Sequence, residues 1–353
     1  MADSSQVFSA WAKARQSAKH RPLSAESVQA YRSVWNVWCE FLASCTLPWA
    51  QAQSADVHRF LSNLPASKSG RAAATTVTQA RYARLLRQIY AFAVVQRWAE
   101  RNPVDRQALT STSEAHDSLV FNSSDWKPLL RALAGRTDAA HLQALTAGRR
   151  WQSLRDASVL RTMMQAGLTV GEIRALNLQD VTHARLRWVQ GSPELAPALP
   201  PGQLGALEQP RLAIEGGREA QARLLRLDAG AGAALLAWLQ LRCTLPCPLG
   251  PASPLYVSQR GKGAGRLSAK ALFVMANDHI KLALKDRYSV SALAHAGPMT
   301  LRSSCIVRWL DAGMSDAKVI ERAGLKDAAS MRRLRKHARP SDPAGPSPGA
   351  PLS

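Results

Sequence analysis

The sequence predicts a mainly α-helical protein with a small β-sheet, an α+β fold of two domains. Apolar residues recur at helical spacing along most of the chain, whereas strand-like segments are confined to one stretch between residues 181 and 227. The chain has 353 residues, of which 46% are apolar, and this is enough to build a core in each of two domains. The composition therefore excludes a protein that is disordered throughout.

The first predicted domain, residues 24–105, is a helical bundle. Ser24 is typical of a helix N-cap, and the apolar residues that follow it lie three or four positions apart. Asn102 and Pro103 end the last helix, because proline lacks an N–H donor and disfavours helix in the residue before it. Residues 1–23 are expected to form an N-terminal extension. The helices of the bundle are expected at residues 24–44, 54–64 and 76–100.

The second predicted domain, residues 125–338, follows a linker at residues 106–124 that is rich in serine, threonine and charge. Gly216 and Gly217 lie between two short apolar segments and predict a β-hairpin. Residues 339–353 contain five prolines and are expected to form a disordered tail. The elements expected in this domain are a helix from residue 125, a helix over 153–176 broken at Gly167, a strand at 181–189, an irregular segment at 191–210, hairpin strands at 211–214 and 222–227, and helices at 231–241, 269–284 and from residue 300 onward.

The charge balance is strongly basic. The chain carries 46 lysines and arginines against 25 aspartates and glutamates, a net charge of +21. Residues 1–105 contribute +7 and residues 106–338 contribute +14, so both domains are cationic. A charge of this size favours a polyanionic partner, DNA or RNA before a membrane surface. The alternatives are an acidic partner protein and arginine-rich faces that are simply solvated.

A row of arginines on the helix at residues 76–100 is the first candidate DNA-binding surface. Arg81, Arg84 and Arg87 fall away from the apolar stripe of that helix, from which they can reach phosphates or guanine edges in a major groove. Lys68 and Arg71 in the preceding loop extend the same positive surface. The alternative is a solvated helix face.

The sequence also carries information on location and cofactors. Residues 1–6 lack the basic start and apolar stretch of a signal peptide, and no apolar run is long enough for a membrane span, so we expect a cytoplasmic protein. Five cysteines form an odd, sparse set that predicts reduced thiols. Cys243 and Cys247 have no histidine or second cysteine pair close to them, so we expect no metal site.

Short motifs follow one another in a characteristic order between residues 24 and 338. Gly167-Leu168 with Glu172-Ile173 forms one motif, and residues 300–304 around Arg302 form another. Together they resemble the tyrosine recombinase, or phage integrase, family. No single motif is specific to this family, but the order and spacing of the motifs are. The other matching positions are Tyr31, Phe41, Asp56 to Leu64, Tyr90 to Phe92, Asn102-Pro103, Arg155-Asp156, Leu176, Asp180, Leu255 to Ser258, Gly261, Arg266, Leu267, Gly313 and Ile320.

The resemblance implies a helical core-binding, SAM-like domain and a catalytic-type domain that close around duplex DNA. Proteins of this family cut DNA with a tyrosine that forms a 3′-phosphotyrosyl link, and they need no metal or nucleotide, so the resemblance implies no cofactor. The implied role is DNA integration or site-specific recombination in a mobile element. The implied partners are double-stranded DNA and either an intact tyrosine recombinase or further copies of this chain, with no membrane partner.

The catalytic set of this family is degenerate in the sequence. The chemistry requires two arginines on the phosphate, a lysine and histidines that move protons, and a tyrosine nucleophile. Arg302 keeps the second arginine, and it is expected either to hold a DNA phosphate or to pair with an acid. Arg218 takes the place of the lysine. The other family positions are occupied by Thr169, Met299, Leu325 and Leu334.

Each replacement removes a chemical function. Thr169 has no charge to offset the developing oxyanion, and Met299 and Leu325 cannot transfer a proton. Leu334 stands at the position of the nucleophile, and none of the five tyrosines follows Arg302 in the sequence. The neighbouring hydroxyls, Ser303 and Ser304, are expected to make capping or core contacts rather than to attack phosphorus.

We therefore expect a DNA-binding protein that is a catalytically defective partner or accessory factor, a pseudoenzyme of this family. The alternatives are a divergent but active site-specific recombinase and a regulator that occupies a DNA site. Two further basic segments are candidates for phosphate contact, a glycine-rich loop and a cluster near residue 335. The DNA-binding candidates in these segments are Lys262, Arg266, Arg332, Arg333 and Arg335.

Overall fold

The computed structural model divides the chain into two compact units, Met1–Ser118 and Leu119–Ser353. It describes residues 3–18, 22–64, 76–105, 119–196, 209–216, 221–258, 265–326 and 328–338. The expected tail at 339–353 and residues 106–118 of the expected linker lie outside the described residues. Each unit has its own hydrophobic core, and both are mainly helical, as the sequence predicts.

The first unit is a helical bundle around a core of aromatic side chains. The Trp38 indole N–H donates to the Tyr90 hydroxyl at 3.0 Å, and that hydroxyl donates to the Trp49 carbonyl at 2.7 Å, so the polar atoms of these two side chains are satisfied inside the core. Ser24 is an N-cap, as predicted, and accepts a hydrogen bond from the Ser27 N–H. The helices are α1 (Ser4–Gln16), α2 (Ala25–Ser44), α3 (Ser54–Ser62) and α4 (Thr76–Val95), with a 3₁₀ turn at Trp49–Gln51.

Two features of this unit differ from the sequence predictions. Residues 1–23, expected to be an extension, contain α1, whose Phe8 and Trp11 are buried in the bundle core. The helix predicted over 76–100 ends at residue 95, because Arg97 takes a left-handed conformation, with φ of +59°, before Asn102 and Pro103 are reached. The bundle therefore has four helices among the described residues, and the last is shorter than expected.

The second unit is built around one long, buried helix. This helix, Ala147–Ala166, packs against the helices Ser123–Thr137, Ala229–Arg242 and Pro298–Asp311, and its Met163 and Met164 are fully buried. The helices are α5 (Ser123–Thr137), α6 (Ala139–Ala144), α7 (Ala147–Ala166), α8 (Val170–Ala175), α9 (Ala229–Arg242), α10 (Ala269–Leu284), α11 (Val290–Leu293), α12 (Pro298–Asp311), α13 (Asp316–Ala323) and α14 (Ala328–Arg335), with a 3₁₀ turn at Leu178–Asp180.

The strands of this unit form two antiparallel sheets. The hairpin predicted around Gly216 and Gly217 is confirmed, since Arg211 to Ile214 pair with Arg223 to Arg226 in antiparallel register. The single strand predicted over 181–189 is wrong, because the chain breaks it into two strands that lie in different sheets. The strands are β1 (Val181–Thr182), β2 (Leu186–Val189), β3 (Ser192–Leu195), β4 (Arg211–Ile214) and β5 (Arg223–Arg226), in the orders β1-β4-β5 and β2-β3.

Part of the segment predicted to be irregular, residues 191–210, is also a strand. Gln190 and Gly191 have φ of +48° and +79°, the backbone conformation of a two-residue hairpin turn, and they join β2 to β3. The sequence signal is weak because each strand has only four residues. Residues 197–208 lie outside the described part of the chain.

No described helix is both long enough and apolar enough to cross a membrane. All five cysteines are free thiols. Within the described ranges, no group of three or more histidine, cysteine, aspartate or glutamate side chains is arranged to hold a metal ion.

A buried histidine gives the second unit a pH-dependent stability. His279 on α10 is fully buried where α10 packs against α5, and burial together with the positive charge of Arg136 lowers its pKa from 6.5 to about 4. The folded state thus holds His279 neutral, whereas the unfolded chain binds a proton below pH 6.5. The stabilising contribution of the neutral ring is present above pH 6.5 and is lost as the pH falls towards 4.

We expect the free energy of unfolding to fall by about 2 kcal/mol between pH 7 and pH 5 on this account. Urea titrations followed by circular dichroism at the two pH values measure it. The variant His279→Leu should lose this pH dependence, whereas His295→Leu, at an exposed histidine, should keep it. An equal pH dependence in the wild type and in His279→Leu would contradict the assignment.

Candidate functional site

The candidate site is built at the break between α7 and α8. Gly167 ends α7 in the left-handed conformation, with φ of +62°, and a Cβ at this position would lie 3.0 Å from the Trp309 ring. Thr169 is the N-cap of α8, and its hydroxyl accepts a hydrogen bond from the Glu172 N–H at 3.1 Å. Thr169, which the resemblance sets at the position of a family arginine, is therefore a helix cap that places the Glu172 side chain.

The Glu172 carboxylate is the centre of the site. Thr169 donates to it from its backbone N–H at 2.7 Å and from its hydroxyl at 2.9 Å. Arg223 Nη1 lies 2.5 Å from Oε1, and Arg302 Nη1 lies 3.6 Å from Oε2. Burial opposes the charged form, but the hydrogen bond from Arg223, that from Thr169 and the two guanidinium charges outweigh it, so the pKa of Glu172 lies below 4.5.

Arg302 is held by the protein itself. Its guanidinium is buried and donates to the backbone carbonyls of Gly167 and Ala323, and it faces Glu172. Burial lowers the pKa of this guanidinium below its usual value, although Glu172 acts in the opposite direction. Of the two roles expected for this arginine, pairing with an acid is the one seen in the structure, and phosphate contact by Arg302 stays a prediction.

Arg223 on β5 is a site residue that the sequence reasoning missed. Its Nε donates to the Arg322 carbonyl at 2.9 Å, and its Nη1 bonds Glu172, so a second buried arginine lies beside Arg302. A Cβ at residue 324 would overlap this guanidinium, and Gly324 is left-handed, with φ of +65°. Its position on the strand is the sequence signal that could have identified it. Leu225 is buried, and residues two apart on a strand face the same side, so Arg223 faces inward.

Three further residues that the resemblance sets at family positions, Met299, Leu325 and Leu334, carry no ionisable group. Met299 is 56% exposed at the start of α12, whereas Leu325 and Leu334 are buried in an apolar cluster formed by α12, α13 and α14. Neighbouring members of this cluster are Ile306, Val307, Leu310, Val319, Ala323 and Met331. Arg218, the residue in the place of the lysine, lies outside the described residues.

The two tyrosines of the second unit are hydrogen-bonded away from Arg302. The Tyr256 hydroxyl is buried 3.0 Å from Ser158 Oγ, and burial raises its pKa. The Tyr288 hydroxyl donates to Asp125 Oδ2 at 2.7 Å, and burial and this carboxylate raise its pKa to about 12. Both phenols are therefore kept protonated.

The hydroxyls next to Arg302 lie inside the core of the unit. Ser304 accepts a hydrogen bond from the Phe121 N–H at 2.8 Å and donates to the Thr300 carbonyl at 2.7 Å. Ser303 is buried on the same helix. The core contact expected for Ser304 is confirmed.

The predicted arginine row of the first unit is present on α4. Arg81 and Arg84 are exposed and Arg87 is half-buried, and no described acidic side chain forms an ion pair with them. Arg81 and Arg84 line a shallow groove of about 200 Å³ together with Tyr31, Leu85 and Gln88. Lys68 and Arg71 lie outside the described residues.

The basic candidates of the second unit differ in their contacts. Arg266 donates to the carbonyls of Arg174, Ala175 and Leu176 at 2.8–3.1 Å, so it places a positive charge on the C-terminal end of α8. Arg332 and Arg333 on α14 are exposed, whereas Arg335 pairs with Asp316. Lys262 lies outside the described ranges. Phosphate contact by these residues stays a prediction.

Removing the Glu172 charge tests the central interaction. We expect Glu172→Gln to lower the free energy of unfolding by about 3–5 kcal/mol, because it leaves two buried guanidinium groups without their counter-ion. Asp316→Asn is the matched control, since the side chains of Asp316 and Arg335 are 48% and 42% exposed and such a pair contributes less than about 1 kcal/mol. Urea denaturation measures both, and equal losses would contradict the role given to Glu172.

Comparison with known proteins identifies the fold. Residues 17–97 match the model of the phage integrase N-terminal SAM-like domain, and no curated protein matches the chain in sequence. The Tn1549 transposon integrase in complex with circular intermediate DNA is 13% identical, with a TM-score of 0.62, over 97% of each chain. The XerH site-specific recombinase bound to its palindromic difH substrate is 15% identical, with a TM-score of 0.61, over 96% of this chain and 82% of that one.

A lambda integrase dimer bound to a COC′ core site is also similar, at 13% identity and a TM-score of 0.57, over 95% of this chain and 78% of that one. These likenesses span both units of the chain, and the matched domain lies within the first unit. The protein thus carries a phage integrase SAM-like domain and has the fold of the tyrosine recombinases.

Proposed function

We propose that this protein binds duplex DNA and takes part in site-specific recombination or DNA integration without cutting strands itself. It acts as a catalytically defective partner of an intact recombinase from a mobile element. The observation that carries this proposal is the burial of Leu325 and Leu334 in one apolar cluster, at the positions where the family's chemistry requires a proton-transfer group and a nucleophile.

Charge and similarity support the DNA part of the proposal. The net charge is +21, and Arg81 and Arg84 are exposed on α4 with no described acidic partner. The similar XerH, Tn1549 integrase and lambda integrase structures all contain DNA. A protein with this partner works at the chromosome, so the proposal includes a cytoplasmic location at the nucleoid.

Three features support the loss of strand cleavage. The two tyrosines of the second unit are hydrogen-bonded to Ser158 and to Asp125, and no tyrosine follows Arg302 in the sequence. The buried guanidinium of Arg302 is engaged by two backbone carbonyls. Thr169 caps α8 and brings no charge to the phosphate. A phosphorane built here lacks an attacking oxygen, a proton donor and one of its two family arginines.

The DNA-binding part predicts a steep dependence of affinity on salt. A protein that neutralises several phosphates releases the counterions that were bound to the DNA. Its affinity for duplex DNA should therefore fall by ~10³ or more when the salt concentration rises from 50 to 200 mM. The double variant Arg81→Gln with Arg84→Gln should weaken binding and lower the salt slope by about 2, one for each lost phosphate contact. Gel-shift titrations over a salt series measure both quantities.

The control for this experiment is Arg101→Gln, at an exposed arginine that lies beyond α4. It should change the salt slope less than Arg81→Gln or Arg84→Gln does when each is made singly. A wild-type affinity that does not change with salt would exclude the proposed function.

The catalytic part predicts that no covalent complex forms. Duplexes selected for tight binding, each with a nick that traps a cleaved strand, should yield no protein–DNA band that survives denaturing electrophoresis. An active family member on its own trapping duplex is the positive control. A covalent band that disappears in Tyr256→Phe or Tyr288→Phe would instead identify the protein as a divergent, active recombinase.

A further inference from the structure

A cationic cleft between β5 and α13 is not used by any of the functions described above. It has a volume of about 440 Å³ and lies within the second unit. Arg223, Arg226, Lys318 and Arg322 line it, against one acidic side chain, Glu321. None of these residues matches a catalytic position of the resemblance. We propose that this cleft binds a phosphate group of the DNA backbone, an inference that rests on the proposed function.

Two buried donors point to an anionic ligand. Arg223 Nη2 and Arg322 Nε are both buried, and neither has a hydrogen-bond acceptor among the described residues. A buried N–H without an acceptor is destabilising, and more so when it carries charge. The Arg223 side chain is only 5% exposed, so it is a fixed part of the wall rather than a solvated surface chain. Both residues line the cleft, and a phosphate offers several acceptor oxygens to donors of this kind.

The surrounding contacts hold both guanidinium groups in place. Arg223 Nε donates to the Arg322 carbonyl at 2.9 Å, and its Nη1 bonds Glu172. The Arg322 guanidinium carbon lies 4.8 Å from the centre of the Trp309 ring, in a cation–π contact. The two groups are thus positioned before any ligand arrives, which reduces the entropy that binding would otherwise cost.

Two exposed side chains add positive charge at the outer part of the cleft. Arg226 and Lys318 are exposed, and no described acidic side chain forms an ion pair with either of them. Flexible cations at the rim and fixed guanidinium groups at the base suit an anion that arrives from solvent. A backbone phosphate and a free phosphate ion share this chemistry, so the experiment separates the two sources.

The test uses the full chain and two double variants that remove the same number of charges. Arg226→Gln with Lys318→Gln alters the exposed rim of the cleft and leaves the buried Arg223 network intact. Lys270→Gln with Lys285→Gln is the control, at two exposed lysines on and next to α10. Arg322→Gln is a second cleft variant, and its circular dichroism spectrum shows whether it folds.

The first measurement is the salt dependence of affinity for a short duplex, by fluorescence anisotropy. The cleft variant should lower the salt slope by about 2 relative to the wild type, and more than the lysine control does. The second measurement is the unfolding temperature with and without inorganic pyrophosphate at equal ionic strength. Binding of pyrophosphate to the folded state should raise this temperature in the wild type and the control, and less in the cleft variants.

The outcomes separate this inference from the proposed function. A smaller slope in the cleft variant supports contact with backbone phosphates. An unchanged slope with a cleft-dependent effect of pyrophosphate overturns the backbone contact and assigns the cleft to free phosphate ligands. If neither measurement distinguishes the cleft variants from the control, the cleft does not bind phosphate. A wild-type protein that fails to bind duplex DNA defeats the proposed function, while the pyrophosphate measurement still tests the cleft.

Discussion

The second unit depends on one buried carboxylate. Glu172 from α8 holds Arg223 from β5 and faces Arg302 from α12, and Arg302 in turn donates to the carbonyls of Gly167 and Ala323, which end α7 and α13. Buried ion pairs give little net stability over a well-packed apolar core, but losing one partner is costly. The carboxylate therefore acts mainly as a constraint, because five elements must meet correctly for both arginines to be satisfied.

The same constraint sets the charge around the site. One carboxylate faces two buried guanidinium groups, so the cluster keeps a positive charge even when Glu172 is ionised. Arg223 belongs both to this cluster and to the wall of the cleft between β5 and α13, where its second Nη has no described acceptor. Positive potential thus reaches from the buried cluster to the exposed rim. The proposed function sets Thr169 at the position of a family arginine, and on that proposal Arg223 is the residue that keeps a second guanidinium in this region.

The sequence was sufficient for features that depend on local patterns. The Ser24 N-cap, the buried face of α4 and the β4-β5 hairpin all follow from caps, helical spacing and turn residues. The sequence was insufficient for features that depend on a contact between residues far apart in the chain. Glu172 and Arg223 are 51 residues apart, and Arg302 bonds a carbonyl 135 residues away, so no local pattern shows that these groups meet. Strands of two and four residues also give too few positions for a two-residue period to separate β2 from β1.

Residues 325 and 334 connect the packing of this unit to the proposed loss of strand cleavage. A nucleophile and a proton-transfer group must reach the reacting phosphate, which requires polar side chains at an accessible surface. Here both side chains are leucines buried against α12, and burying such a side chain stabilises the fold by about 1.5–3 kcal/mol. A tyrosine at position 334 would have to leave this cluster to act, and it would lose that burial each time it did so. Under the proposed function, apolar packing of α14 on its own unit and strand cleavage by residue 334 are therefore opposing demands, and the buried leucines meet the first.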